Sequence, residues 1–389
     1  ALINLFKEFL YFCKAQELLS LKTIGIDGTK IRAQNSQNNI YKRESIEDLK
    51  KRIDKKISEY LFELEINDEK DAEELYLKCG EQTKSLIDKL KKLGKYKGKT
   101  EKIEQLFDKN PELKTYFAND EDSRFQSDKG KVRAGYNVQT AVDDENKLII
   151  VNEVSNKSND LEQMTPMIEK VESIKKDLMI NEDTDAIMDA GYFNEKEIIN
   201  NKDKKGINVI VSDKQDAQEG NKKRKQNQNE NKIPADGFET KDFIYDKDRD
   251  ICVCPDGKHL FKTHKNPGKE KSGRQVFEYL CRDCAGCKNL TKCTRNKRGR
   301  AIKISVNKAT MENYKKEMQK EKNKKLLSKR KEIVEHPFGT IKRYFGYTYF
   351  VQKGFDKVKA EFNLICFTYN FKRVLNILGV EAFKKALES

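Results

Sequence analysis

One glutamate sits in a strongly basic stretch late in this 389-residue chain, Lys329-Arg330-Lys331-Glu332-Ile333-Val334-Glu335-His336-Pro337-Phe338-Gly339-Thr340-Ile341-Lys342-Arg343. A carboxylate held among cations is either a surface salt-bridge partner or a ligand for a divalent metal beside a polyanion. Charge runs alone are usually solvated faces. Two aspartates shift that balance. Asp27 stands in Ile24-Gly25-Ile26-Asp27-Gly28, and Asp189 in Ile187-Met188-Asp189-Ala190-Gly191. Each follows a short apolar run, and in an α/β sheet function gathers at the carboxyl ends of strands. Carboxylates gathered there can hold Mg²⁺ or Mn²⁺, hard cations that share oxygen ligands with phosphates. A metal pair can activate a water or a 3′-hydroxyl and stabilise the leaving oxygen of an in-line displacement. Asp27, Asp189 and Glu335 are therefore the candidate catalytic, metal-binding set.

A second constellation is sulfur. Cys252, Cys254, Cys281, Cys284, Cys287 and Cys293 fall within 42 residues, six of the nine cysteines of the chain. Cys-x-x-Cys spacing with a distant partner pair is the usual layout of a tetrahedral Zn²⁺ site. All six are candidate zinc ligands, and spacing does not choose four. Cys13, Cys79 and Cys366 stand on apolar or helical faces and read as packing residues. His259 and His264 lie near the cluster and read as loop residues. His336 could contact phosphate or metal, or hydrogen-bond near Pro337. No Ser-His-Asp or Cys-His order and no glycine-rich phosphate loop is present.

The elements that must position these residues follow from periodicity. Leu2 to Leu21 has helical spacing, and Leu21 to Ile31 reads as a short strand that ends in a turn at Asp27-Gly28. Ile46, Leu49, Ile53, Ile57, Tyr60 and Leu64 form a heptad stripe, and a second amphipathic stretch carries Leu75, Leu86, Leu90, Leu93, Ile103 and Leu106 up to Asn110-Pro111. Such a stripe packs with its own hairpin or with a second subunit, so a homodimer is a candidate assembly. A β-hairpin at Gly135–Asp143 and Lys147–Val154 leads to a helix over 160–175. Strand 184–188, helix 195–202 and strand 207–211 complete a mixed sheet with crossover helices, expected to have five strands. Asp213 to Lys232 is a polar tract expected to be a flexible loop. Proline at 337 predicts a kinked or restarted helix after Glu335. The tail from Phe355 to Leu387 reads as helix with one wide apolar face.

Lysine plus arginine number 79 against 64 acidic residues, a net charge of +15, which suits a polyanionic partner such as double-stranded DNA. The surplus concentrates between Arg295 and Arg330, with 14 basic residues against Glu312, Glu317 and Glu321. No apolar run is long enough for a membrane span, and the start lacks a signal-peptide layout, so a cytoplasmic protein is expected.

Four blocks, Ile26-Asp27-Gly28-Thr29-Lys30, Gly135-Tyr136-Asn137-Val138-Gln139, Met188-Asp189-Ala190-Gly191-Tyr192 and Val334-Glu335-His336-Pro337-Phe338-Gly339-Thr340-Ile341-Lys342, resemble successive motifs of bacterial insertion-sequence transposases of the DDE type. The resemblance runs from about Leu5 to Phe371. It implies a ribonuclease-H-like catalytic fold and a metal-binding triad of Asp27, Asp189 and Glu335. It also implies strand cleavage and transfer at element ends, with a catalytically inactive, transposase-derived DNA-binding protein as the alternative. Members of this branch often carry a Tyr-Arg-Glu-Lys signature, with Arg four residues before Glu and Lys seven after. Lys342 fits, whereas Lys331 stands at the arginine position with Arg330 one step earlier, and Leu327 and Ser328 stand where a tyrosine would be. Lys30, Arg330, Lys331, Lys342 and Arg343 are the DNA-binding candidates. Only about 20 residues precede the first strand, so the family's N-terminal DNA-binding domain is expected to be absent from or upstream of this chain. The expected organisation is an N-terminal helix and first strand (1–40), an inserted helical hairpin (41–125), core (126–212), a Cys-rich insertion (213–314) and a glutamate helix with C-terminal helices (315–389).

Overall fold

A computed structural model describes residues 2–71, 78–128, 130–213, 237–270, 273–284, 286–294, 296 and 299–388. The expected flexible tract at 213–232 lies, but for Asp213, outside the described residues, and so does Leu75.

The central sheet is built on β1 (Thr23–Arg32) and β5 (Lys131–Asp143), antiparallel along the whole of β1. On the outer edge of β5 lie β4 (Arg124–Asp128) and β6 (Ile149–Ser155), both antiparallel to it. On the other edge of β1 come β7 (Thr184–Met188) and β8 (Ile207–Val211), joined in parallel. The sheet thus has six strands rather than five, because Arg124–Asp128 adds a short strand beside β5. Parallel strands need crossovers, supplied here by α4 (Met164–Asp177) before β7 and α5 (Glu195–Asn201) before β8.

β1 corrects one expectation. The chain does not turn at Asp27-Gly28; it stays extended, with Asp27 opposite Thr140 and Gly28 opposite Gln139. Glycine is needed at 28 for space. A Cβ there would come within 2.3 Å of the Gln139 amide nitrogen and 2.9 Å of an Asp160 carboxylate oxygen.

Before the sheet stands α1 (Leu2–Ala15). α2 (Ile46–Asp71) and α3 (Lys78–Lys109) are the two inserted helices, ending one residue before Asn110-Pro111 as expected. Their base buries Tyr41, Ile46, Ile103 and Phe107, closed by the pair β2 (Ile40–Lys42) and β3 (Thr115–Phe117). Lys50–Glu104 and Lys97–Asp54 ion pairs, both 2.6 Å, bridge the helices. Solvent screens both pairs, so they add little to stability.

After β8 the chain forms a second, antiparallel sheet: β9 (Ile244–Asp246), β10 (Ile251–Val253), β11 (His259–Lys262), β12 (Gly268–Lys269), β13 (Gln275–Cys281) and β14 (Ala301–Ser305). A single-turn helix, α6 (Leu290–Cys293), lies between the last two strands. The sheet meets the core through Glu195, which accepts from Ser305 and Asn307 and pairs with Arg274 at 2.8 Å.

α7 (Lys308–Met318) and α8 (Glu321–Gly339) return the chain to the core. α8 runs straight through Pro337 and widens only afterwards, into a π-helical turn over Thr340–Tyr344. The helix is thus continuous at Glu335, and the π-helical turn begins three residues after Pro337. Ile333 and Val334 are buried and dock on Gly25, where a Cβ would stand 2.7 Å from Val334 Cγ1 and 2.9 Å from Ile333 Cγ2. Gly25→Val is therefore expected to lever α8 off the sheet. A loss of about 1–3 kcal/mol, the usual cost of overpacking, should appear as a lower urea midpoint. α9 (Phe355–Leu378) and α10 (Val380–Glu388) close the core. Asn370 of α9 bonds both backbone groups of Ile149. Cys13 and Cys366 are fully buried packing residues; the Cys79 side chain lies outside the described set.

Candidate active site

Asp27 and Asp189 are brought together by strand register. Ile26 pairs with Met188 across the parallel β1–β7 ladder, so the next residue on each strand is Asp27 and Asp189. Neighbouring strands lie about 4.8 Å apart. Asp189 ends β7 as the cap of a short turn, its Oδ1 accepting from Gly191 N at 2.8 Å. Asp27 Oδ1 accepts from Gly28 N at 2.8 Å. Its other oxygen lies 3.1 Å from Arg330 Nη1, on the inner face of α8. That contact is within ion-pair range but off hydrogen-bond alignment, leaving Arg330 Nη1 buried without a hydrogen-bond partner.

The Asp27 carboxyl is pushed up to about 6, chiefly by burial. Arg330 opposes the rise, and the neighbouring Asp189 charge adds to it. A buried carboxylate beside a like charge favours any added cation. The oxygen donors of Asp27 and Asp189 therefore fit a hard divalent ion such as Mg²⁺ or Mn²⁺.

Glu335 directly follows Val334, which packs on Gly25 two residues before Asp27. Its side chain is exposed, and it makes no hydrogen bond or ion pair with either aspartate. Among the described residues, no three His, Cys, Asp or Glu groups stand close enough together to hold a metal ion. The fold thus pairs two of the three carboxylates and leaves the third on the helix above them.

The basic candidates divide by helical register. Arg330 lies one turn before Val334, so it shares the sheet-facing side and reaches Asp27. Lys331, a further 100° round, is exposed. Lys342 Nζ donates to Thr29 Oγ1 at 2.5 Å and Lys30 O at 3.0 Å, tying the segment after α8 to β1. Arg343 is exposed. Lys30 is 3.5 Å from Asp160; burial lowers its pKa and Asp160 opposes the fall. His336 shares a hydrogen bond with the Tyr369 hydroxyl at 2.8 Å, and burial lowers its pKa.

Sequence reasoning missed a polar network behind the pair. Asp160 accepts from Asn137 Nδ2 and Gln139 Nε2, both at 2.7 Å, and Gln139 accepts from the buried Tyr192 hydroxyl. Burial, reinforced by Asp160, Asp27 and Asp189, raises Tyr192 well above the ordinary phenol range, so it stays a donor. The available signal was Asn137 and Gln139, two residues apart in a strand otherwise apolar on that stretch: polar groups buried on one face need partners.

The cysteines gather elsewhere. Cys254, Cys281, Cys284, Cys287 and Cys293 line one cavity at the end of the second sheet, while Cys252 does not. Burial raises the Cys284 thiol to about 11, helped by its hydrogen bond with Cys281.

Among the described residues no helix is long and apolar enough to cross a membrane. No curated protein and no solved structure matches the chain. A family model described as the Transposase DDE domain matches residues 253–375, a minority of the chain that includes the cysteine-bearing turns and Glu335 but neither Asp27 nor Asp189. Between residues 253 and 375, then, this chain is similar to a transposase DDE domain.

Proposed function

We propose that the chain is a DNA transposase that cuts and joins DNA strands by divalent-metal-dependent phosphoryl transfer at the ends of an insertion sequence. The observation that carries this reading is the Asp27–Asp189 pair. It stands where the parallel β1–β7 ladder ends, beneath a helix that lies in the segment matched by the transposase DDE model. The strand order β6-β5-β1-β7-β8, antiparallel for three strands and parallel for the last two, agrees with a ribonuclease-H-like core.

In this reading Asp27, Asp189 and Glu335 would hold Mg²⁺ or Mn²⁺, which when bound supplies an activated nucleophile and stabilises the leaving oxygen. The protein's own part is positional. Arg330 balances the buried aspartates, and the Tyr192–Gln139–Asp160 network stiffens the strands that carry them. Lys342 fixes the π-turn against Thr29. Lys324, Lys331 and Glu335 recur at steps of seven and four, so they share an exposed stripe of α8 that can deliver phosphates to the site.

Removing both lysines of that stripe, as K324A/K331A, should weaken DNA binding with little regard to sequence. It should also flatten the salt dependence by about 0.9 per lost phosphate contact. Binding titrations at several salt concentrations measure this.

A second reading has one observation in its favour: among the described residues no three-carboxylate group forms. A chain that only binds DNA would need none. Purified protein, Mg²⁺ or Mn²⁺, and DNA carrying the flanking inverted repeats separate the two. Nicks or joined products at the repeat ends support the enzyme, whereas retained binding with intact strands supports the binding protein.

A further inference from the structure

The second sheet has a small core of its own: Phe243, Cys252, Leu260, Tyr279, Cys281, Ile302 and Ile304. Cores of that size rarely hold a fold without a staple. At its end lies a cavity of about 20 Å³ lined by five cysteines, room for about one water-sized sphere. We propose that this cavity takes a single Zn²⁺ bound by Cys254, Cys284, Cys287 and Cys293. This site is separate from the carboxylates and does not depend on the transposase reading.

The choice of four rests on where each thiol sits. Cys252 pairs with Tyr245 and Leu260 inside the ladder, is buried, and does not line the cavity. Cys281 lines it but is buried at the end of β13, its backbone paired with Leu260. The other four are half-buried and stand in turns or at the end of α6. Cys254 opens a turn closed by Gly257 N on its carbonyl at 2.9 Å, and Lys258 N donates to its sulfur at 3.3 Å. An N–H aimed at sulfur is the support that a thiolate ligand uses. Cys284 and Cys287 bracket a second turn, with Cys287 N on Cys284 O at 3.2 Å. Cys287 Sγ also lies 3.5 Å from Asp256 Oδ2.

Charge agrees. Four thiolates around Zn²⁺ form a dianion, and Lys258 and Arg300 both line the cavity. Binding releases the four thiol protons to solvent, so it must weaken in acid. No three of these groups now stand at ligand distance; the turns must draw inward onto the ion, which is how a structural zinc contributes folding energy.

The test uses the full chain, purified under reducing conditions. Elemental analysis should find a single zinc per chain in the wild type and in C252S and C281S, and background zinc in C254S, C284S, C287S and C293S. Because ligand variants can misfold, wild-type protein is also stripped and refilled with Co²⁺, expected to give the visible and charge-transfer bands of a tetrahedral tetrathiolate. Zinc-free wild type without those bands would overturn the proposal. So would loss of zinc in C281S with retention in C284S, or disulfides among the four in reduced protein.

Discussion

Asp27→Asn and Asp189→Asn are each expected to lower metal-dependent strand cleavage by about a thousandfold or more while leaving DNA affinity nearly unchanged. Both substitutions keep shape and hydrogen bonding. At position 189 the amide Oδ1 can still cap the turn, and at position 27 it can still accept from Gly28 N. What is lost is one negative charge at the point where strands β1 and β7 place two side by side. Lewis-acid stabilisation by a bound ion is worth several kcal/mol, and each ~1.4 kcal/mol is tenfold in rate. In the proposed reading DNA affinity rests on the lysines of α8, so it should stay. The check is single-turnover cleavage alongside filter binding on the same preparations. Parallel loss of binding and cleavage would mean that the aspartates hold the fold, not the chemistry.

The second large effect concerns Arg330, whose side chain is 14% and whose partner Asp27's is 23% exposed. Breaking a buried pair by removing one member costs about 3–5 kcal/mol; partial exposure puts Arg330→Ala nearer ~2–3 kcal/mol. Its pH dependence is the sharper signature. Asp27's folded pKa, about 6, lies above the ordinary carboxylate value of 3.8. The folded chain therefore keeps the proton longer than the unfolded one. Stability from this group is fully present below about pH 4 and is lost as pH rises through 6. Arg330 limits that loss, so without it the folded pKa climbs and the loss continues to higher pH. Urea denaturation with chelator present should show wild type and R330A close together near pH ~5 and far apart near pH ~8. An equal gap at both values would make Arg330 a packing residue.

Much of the scaffold was legible because its periodicities are unambiguous. The hairpin at 135–154, the helix before β7 and the paired inserted helices all rest on patterns that tertiary packing did not override. Local reading failed where a contact distant in sequence decides. Asp27-Gly28 looks like a turn in isolation, yet β5 holds both residues in the ladder and Gly28 is small to admit Gln139 and Asp160. Arg330 and Lys331 could not be ranked by spacing to Glu335. Val334 docking on Gly25 sets the helix register and sends Arg330 inward. Asp160 was not legible because it lies in the loop between β6 and α4 while its partners Asn137 and Gln139 lie on β5. Pro337 suggested a kink or restart, but the helix continues through it and a wider turn begins three residues later. Among the cysteines, spacing named six, and only the β10–β11–β13 ladder distinguishes the thiols locked in strands from those in turns.

Glu335 bears the central claim, since the fold sets Asp27 beside Asp189 but leaves Glu335 exposed above them. The most direct measurement is cleavage of repeat-end DNA in Mn²⁺ by E335Q against E332Q, its exposed neighbour three residues earlier on the same helix. Our account predicts that E335Q falls to the level of D189N while E332Q keeps wild-type cleavage. Full activity in E335Q would contradict it, and would leave the aspartate pair without its third carboxylate.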